Sequence, residues 1–82
     1  MSQTNIEYNI QIGQHLKRLR IQSHLTQTDI GKQLHVRFQQ VGKWERGINK
    51  IFAHQLLKLC ELNNWNIIEF KASELSVSAL NS

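Results

Sequence analysis

The sequence predicts an all-α fold of five helices, and both its composition and its hydrophobic pattern support this. Proline is absent, and the four glycines all lie between positions 13 and 47. Folds built on frequent β-turns use both residues more often, whereas helix interiors exclude them. Apolar residues recur three and four positions apart in successive segments, which is the spacing of helices with one buried face. With 82 residues, 40% of them hydrophobic, the chain can bury one small core.

Helix 1 is predicted from a start signal and a regular apolar stripe. Thr4 and Glu7 have the spacing of a capping box, so the helix begins near residue 5 or residue 9. Ile12, Leu16 and Leu19 then recur at helical spacing and are expected to be buried. The stripe predicts that the helix ends near residue 22.

Helix 2 has the clearest start signal in the chain. Thr26 is a favourable N-cap, and Asp29 stands three residues later, where it completes a capping box. Ile30 and Leu34 are expected to point inward, and the helix should end near Leu34. Gly31 between them costs about 1 kcal/mol of helix propensity relative to alanine. That cost is justified if another helix approaches closely there.

Helix 3 is predicted over residues 38–46, after a connection at 35–37, and Gly47 is expected to cap it. At 100° per residue, Val41 and Trp44 lie on one side, with Glu45 at its edge. The opposite side carries a set of small, amide and basic residues, flanked by Phe38 and Gln40: Gln39, Gly42, Lys43 and Arg46. Amide and basic side chains are the groups that bind base edges and phosphates.

Helix 4 is predicted over residues 52–62, with an inward face of Phe52, Leu56, Leu59 and Cys60. The single cysteine on that face is most simply a small buried hydrophobe. An Asn63-Asn64 turn follows the helix.

A fifth helix is predicted after this turn. Asn66 can cap it, with Glu69 three residues later, and Trp65 and Phe70 occupy the positions of a hydrophobic staple. The helix should fade somewhere beyond Lys71.

The charge balance and the cysteine count restrict the class of protein. Ten Lys and Arg residues against six Asp and Glu give a net charge of +4. This excess is compatible with a polyanionic partner, although many small domains carry it. A single cysteine argues against a disulfide-stapled secreted domain. Because no membrane span or secretory signal is evident, we expect a cytoplasmic protein without a membrane partner.

The sequence contains no pattern typical of a metal site or a catalytic site. The four histidines, at positions 15, 24, 35 and 54, fall on different predicted elements and lack the spacing of metal ligands. Neither a nucleophile–base arrangement nor a glycine-rich phosphate loop is present. We therefore expect no metal, no cofactor and no enzymatic activity.

Residues 12–70 resemble the phage-repressor and Cro-like helix-turn-helix regulators, often called the xenobiotic-response-element type. The residues that carry the resemblance are Leu16, Leu19, Arg20, Leu25, Thr26, Gln27, Ile30, Gly31, Leu34, Val41, Trp44, Glu45, Arg46 and Gly47. The resemblance implies a compact five-helix, lambda-repressor-like DNA-binding domain at 9–72, in which helix 3 enters the major groove. Residues 1–8 would form an arm or the start of helix 1. Residues 73–82 would form a serine-rich tail, partly helical or disordered, with Leu75, Val77 and Leu80 as its only anchors.

By position, the resemblance also implies roles for individual residues. The positions that match base-contacting residues are Phe38, Gln39, Gln40 and Lys43. Those that match phosphate-contacting residues are Gln27, Arg37, Arg46, Asn49 and Lys50. Gln27 would also brace helix 3, and a buried ion pair between Arg20 and Glu45 would tie helix 1 to helix 3.

Three alternatives and two departures accompany these assignments. The polar face of helix 3 could be an ordinary solvated surface, Phe38 could belong to the core, and Arg20 and Glu45 could be separate surface charges. His35 stands where the family usually has glycine, so a positive φ is expected there. Arg37 replaces the usual Ser or Thr cap of helix 3, which weakens that cap.

The biological role implied by the resemblance is a sequence-specific transcriptional regulator, in particular a nucleoid-associated repressor. It would bind double-stranded DNA with an inverted repeat as a homodimer. The expected dimer surface consists of Trp65, Ile67, Ile68, Phe70 and Leu75, residues that could equally complete the monomer core. The alternative is an antitoxin or co-regulator that acts through a protein partner bound by the tail.

Overall fold

The structure, a computed structural model, describes residues 5–71, with side chains from residue 7 onward. Four α-helices and a 3-10 helix follow one another along the chain: α1 (Asn5–Gln22), α2 (Gln27–Leu34), α3 (Phe38–Glu45), α4 (Ala53–Asn63) and the 3-10 helix Ile67–Phe70. Residues 5–71 contain no β-strand, which confirms the predicted all-α class. The expectations for Thr4 and for the tail, Leu75 included, lie outside the described residues.

The predicted fifth helix is a single 3-10 turn, so its expected length was wrong. The cap was predicted correctly, because the Asn66 side chain accepts a hydrogen bond from the Ile68 backbone N–H at 3.0 Å. The Glu69 N–H then donates to the Asn66 carbonyl at 2.8 Å, and the Lys71 N–H donates to the Ile68 carbonyl at 3.0 Å. The backbone at Lys71 is extended and ends the turn, directly after the buried residue Phe70.

The core lies where the helices meet, and each α-helix contributes one fully buried aliphatic residue. Leu16, Ile30, Val41 and Leu59 come from α1, α2, α3 and α4 and are 0% exposed. Trp44 and Cys60 complete the inner layer, and both were predicted to be inward. These side chains fix how α3 lies against the other helices.

Phe52 lies outside this core, contrary to the prediction. Its side chain is 57% exposed and stacks on His54, with ring centroids 5.9 Å apart. Phe52 is the N-cap of α4 and has an extended backbone, so the helical phase used to predict its direction does not apply to it.

The helix starts depend on local hydrogen bonds, and the one predicted for α2 is confirmed. The Asp29 backbone N–H donates to Thr26 Oγ1 at 3.0 Å, and the Thr26 N–H donates to Asp29 Oδ2 at 2.8 Å. These hydrogen bonds from the Thr26 backbone and side chain lower the pKa of Asp29. The carboxylate is therefore ionised near neutral pH, where it also suits the positive end of the helix dipole.

All four α-helices end at a residue in the left-handed region. Their φ angles are 60° at His24, 59° at His35, 75° at Gly47 and 59° at Asn64. In each case the next residue donates its N–H to a carbonyl five positions earlier, which is the bond that closes a Schellman-type end. The pairs are Leu25 with Arg20, Val36 with Gly31, Ile48 with Lys43 and Trp65 with Cys60, at 2.9–3.0 Å. The positive φ expected at His35 is confirmed, whereas the one at His24 was not predicted.

Gly31 is needed for a close approach, but the approaching group is not another helix as expected. A Cβ built on Gly31 would lie 2.5 Å from the carbonyl oxygen of Val36, in the turn that follows α2. Gly13, for which no role was predicted, faces the backbone of Trp44 and Glu45 in the same way, with the Glu45 carbonyl 2.9 Å from a built Cβ. These two glycines let the turn and α3 pack directly on helix backbone.

Gly31→Ala and Gly42→Ala are expected to change stability in opposite directions. The new methyl group at Gly31 meets fixed backbone, and overpacking of this kind costs about 1–3 kcal/mol. At Gly42 the nearest groups are the side chains of Arg46 and Gln27, 3.3–3.6 Å from a built Cβ, so the gain in helix propensity, about 0.5–1 kcal/mol, dominates. Urea unfolding followed by circular dichroism measures both changes, and equal destabilisation would contradict this account of Gly31.

Candidate nucleic-acid interface

The buried carboxylate of Glu45 joins three helices. Arg20 of α1 donates from Nε to Oε2 at 2.6 Å and from Nη2 to Oε1 at 3.1 Å. Gln27 of α2 donates from Nε2 to Oε1 at 3.1 Å, and Glu45 itself belongs to α3. The Glu45 and Arg20 side chains are 3% and 12% exposed, so the alternative that they are separate surface charges is wrong.

Arg20 also makes a hydrogen bond to the backbone next to this cluster. Its Nη1 donates to the Leu25 carbonyl at 2.9 Å, in the connection between α1 and α2. The guanidinium therefore has acceptors on two sides, as a desolvated charge requires. The cluster fixes where α2 starts relative to α3.

The side of α3 that faces away from the core is open to solvent. Gln39, Lys43 and Arg46 are exposed, and Phe38 is 49% exposed, which excludes a core role for it. Gly42 was expected on this face but is buried, because the Gln27 and Arg46 side chains lie over it. The exposed face thus consists of an aromatic ring, an amide and two cations.

Gln40 lies at the border of this face and is half-buried. Its Oε1 accepts a hydrogen bond from Asn49 Nδ2 at 2.9 Å, a contact that the sequence did not suggest. Both residues line a groove of about 480 Å³ between α3, the loop after it and the start of α4. Gln40 is therefore tied to the loop rather than free on the helix surface.

The two ends of α3 are secured differently. Arg37, the N-cap residue, has an extended backbone and makes no side-chain cap, as its departure from Ser or Thr predicted. At the other end, Gly47 adopts its positive φ and the Ile48 N–H donates to the Lys43 carbonyl at 2.9 Å. The loop that carries Asn49 and Lys50 is thereby folded onto the helix.

The charge around this helix is of one sign. Between residues 30 and 50 the only acidic residue is Glu45, which is buried and paired with Arg20. The cations of the same stretch are all exposed: Lys32, Arg37, Lys43, Arg46 and Lys50. A surface of this charge attracts phosphate groups.

Residues 16–70 match the family model described as Helix-turn-helix. The chain belongs to this helix-turn-helix family. In the structure α2, the turn at His35 and α3 form the unit that gives the family its name, and the resemblance to Cro-like regulators is confirmed. This family is one of DNA-binding transcription regulators.

Two known helix-turn-helix proteins are similar to this chain. The uncharacterized HTH-type transcriptional regulator y4wC of Sinorhizobium fredii is 35% identical over 48 residues, which are 58% of this chain. That segment spans only about a third, 34%, of the relative's own length. The crystal structure of the restriction-modification controller protein C.AhdI from Aeromonas hydrophila superposes with a TM-score of 0.68 at 26% identity, covering 76% of this chain and 94% of that one.

The residues expected at a dimer surface divide into two groups in this helix-turn-helix domain. Phe70 is 5% exposed and packs near Trp65, whose Nε1 donates to Ser23 Oγ at 2.9 Å, so both serve the monomer. Ile67 and Ile68 are 41% and 52% exposed. Leu75 lies outside the described residues.

The described part of the chain shows no sign of a metal site or a membrane span. Residues 5–71 contain no group of three His, Cys, Asp or Glu side chains that could hold a metal ion. Within the same range no helix is long and apolar enough to cross a membrane. Burial raises the pKa of the Cys60 thiol, which makes it less reactive.

Glu45→Ala is expected to destabilise the domain by about 3–5 kcal/mol, because it leaves the buried Arg20 charge without its carboxylate partner. The matched control is Glu69→Ala, which removes an ion pair with Arg18 whose side chains are 39% and 48% exposed. Exposed pairs contribute about 1 kcal/mol or less. Urea unfolding compares the two, and the double variant Arg20→Met/Glu45→Met should recover part of the loss. Equal effects of Glu45→Ala and Glu69→Ala would contradict the role of the buried cluster.

Proposed function

We propose that the chain is a sequence-specific transcriptional regulator, acting as a repressor, that places α3 in the major groove of double-stranded DNA. The observation that carries this proposal is the exposed face of α3. It holds amide and basic side chains, and the buried Glu45 cluster keeps the helix rigid behind it. A bound regulator of this kind blocks transcription when its site overlaps a promoter. It would act in the cytoplasm of a prokaryote, where the nucleoid lies.

The base-contacting residues in this proposal lie on α3: Phe38, Gln39, Gln40 and Lys43. A glutamine pairs with adenine through both amide atoms, a lysine donates to guanine, and an aromatic ring packs on a thymine methyl group. Each good bidentate contact discriminates between bases by about 1–3 kcal/mol. Phe38 at the entrance of α3 is exposed enough for such packing.

The phosphate-contacting residues surround α3: Gln27, Arg37, Arg46, Asn49 and Lys50. The three cations among them are exposed, and no exposed acidic side chain lies between residues 30 and 50 to oppose them. They would supply affinity that depends on salt concentration and carries no sequence information. Gln27 would contact a phosphate through the part of its amide that Glu45 does not use.

We propose a homodimer as the binding species. Ile67 and Ile68 are the exposed apolar residues of the 3-10 helix, and Trp65 and Phe70 support them from inside the monomer. With Leu75 they would form a self-complementary patch related by a two-fold axis. Two copies of α3 would then stand about 34–36 Å apart, one turn of DNA, on an inverted repeat.

The experiment that tests the function is selection of double-stranded DNA from a random pool, followed by binding measurements at two salt concentrations. We expect an inverted repeat to be selected. Binding without sequence preference would reduce the proposal to non-specific DNA binding. No binding at low salt would refute it and favour a role through a protein partner.

Gln39→Ala and Lys50→Ala are expected to affect binding in different ways. Loss of the Gln39 amide should relax the base preference at one position of the site by about 1–3 kcal/mol. Loss of Lys50 should weaken binding to all DNA sequences equally, and it should reduce the slope of log affinity against log salt concentration by about 1. Lys58→Ala on α4 is the control for charge. Fluorescence anisotropy on the selected site and its single-base variants measures all three, and an unchanged preference in Gln39→Ala would contradict this position of α3.

Ile68→Lys is expected to shift the chain to monomers and to weaken binding to the inverted repeat by at least about tenfold, since a buried charge opposes association. Ile21→Lys is the matched control, because Ile21 on α1 is 53% exposed and Ile68 is 52% exposed. Analytical ultracentrifugation gives the oligomeric state of both variants. A wild-type chain that stays monomeric at micromolar concentration, or equal behaviour of the two variants, would contradict the proposed surface.

A further inference from the structure

The loop after α3 is held so firmly that Asn49 has a fixed position beside Gln40. The Gly47 N–H donates to the Trp44 carbonyl at 3.0 Å, and the Ile48 N–H donates to the Lys43 carbonyl at 2.9 Å. The Asn49 N–H also points to the Lys43 carbonyl, at 3.4 Å. Because these carbonyls belong to the last turn of α3, the loop is hydrogen-bonded directly to the helix.

The Gln40 side chain depends on that loop for its orientation. Asn49 Nδ2 donates to Gln40 Oε1 at 2.9 Å, and within residues 7–71 Asn49 is the only hydrogen-bond partner of this side chain. The groove of about 480 Å³ next to both residues leaves room for other rotamers of Gln40. Packing therefore leaves the direction of the Gln40 amide open, and the hydrogen bond from Asn49 selects it.

We propose that Asn49 is a positioning residue that sets which bases Gln40 reads, a role that rests on the proposed DNA binding and adds to the phosphate contact proposed for Asn49. With Oε1 held by Asn49, the oxygen faces the loop and the amino group of Gln40 is the part that reaches the base edge. A bidentate pair with adenine needs both the oxygen and the amino group. Gln40 thus reads an acceptor, preferably guanine O6 or N7 or thymine O4, and its amide does not form the bidentate pair with adenine.

The variant Asn49→Asp tests this because it reverses the hydrogen bond. A carboxylate only accepts, so it takes a hydrogen bond from Gln40 Nε2 and turns the Gln40 oxygen toward the DNA. The base preferred at the Gln40 position should change from guanine or thymine, whose polar groups in the major groove are all acceptors, to one with an amino donor, adenine or cytosine. The ratio of affinities for the two kinds of base should change by roughly tenfold or more, the effect of one good base contact. Asn49→Ala frees the amide and should only relax the preference there.

The measurement is anisotropy on the selected site with each of the four bases at every position, for wild type, Asn49→Asp, Asn49→Ala and the same changes in a Gln40→Ala background. The added negative charge of Asn49→Asp weakens binding to every DNA sequence. This common factor cancels when the affinities for two bases at one position are compared as a ratio. Lys50→Ala gives the pattern of a pure phosphate contact, a uniform loss. Thermal melting tests whether each variant is folded. If Asn49→Asp does not fold, the relaxed base preference expected for Asn49→Ala tests the inference instead.

Two results support the inference together: a change of preference at one position, and its disappearance in the Gln40→Ala background. A uniform loss in Asn49→Asp, with unchanged ratios, would overturn it and leave the proposed function intact. A change of preference that persists without Gln40 would also overturn it, because Asn49 would then read the base itself. A wild-type chain without any base preference would overturn both the inference and the proposed sequence-specific function.

Discussion

The carboxylate of Glu45 is the interaction on which the arrangement of this domain depends. It belongs to a side chain of α3 that is 3% exposed, and it accepts hydrogen bonds from Arg20 of α1 and Gln27 of α2. Hydrophobic contacts alone are tolerant of small rotations, whereas two charged hydrogen bonds at one carboxylate are directional. Because the guanidinium also binds the Leu25 carbonyl, the start of α2 is fixed by the same group. The position of α3 relative to α1 and α2 thus depends on buried groups and not on the side chains that α3 exposes to solvent.

This arrangement separates the residues that hold α3 from the residues that can contact a ligand. Val41, Trp44 and Glu45 are buried, while Phe38, Gln39, Lys43 and Arg46 contribute little to the core. Gln40 stands between the two sets, half-buried and bound to Asn49. The first turn of α3 has no side-chain cap at Arg37, and the last turn is closed by the Gly47 loop. The helix is therefore closed by the loop at its C-terminal end and has no side-chain cap at its N-terminal end.

Local signals in the sequence predicted most of the fold, and the errors fall where tertiary contacts decide. The capping box of Thr26 and Asp29 depends on neighbouring residues and could be predicted from them, whereas the positive φ of His35 was implied by the family resemblance. Phe52 was misplaced because helical phase was extended to a non-helical N-cap. Gly13 and Gly42 are explained only by what packs over them. The sequence could not decide whether Trp65 and Phe70 serve the core or an interface, and the link from Asn49 to Gln40 required the loop geometry.

The left-handed helix ends have a consequence for how the chain folds. Each reversal of direction, at His24, His35, Gly47 and Asn64, is closed by hydrogen bonds between residues at most six positions apart. Such bonds require little loop-closure entropy, and chains dominated by local contacts fold quickly. The direction of each new helix is thus biased before distant side chains meet. Arg20 and Glu45 are 25 residues apart, and their buried ion pair forms between helices whose directions the local bonds already favour. The ion pair then selects one helix arrangement among similar ones.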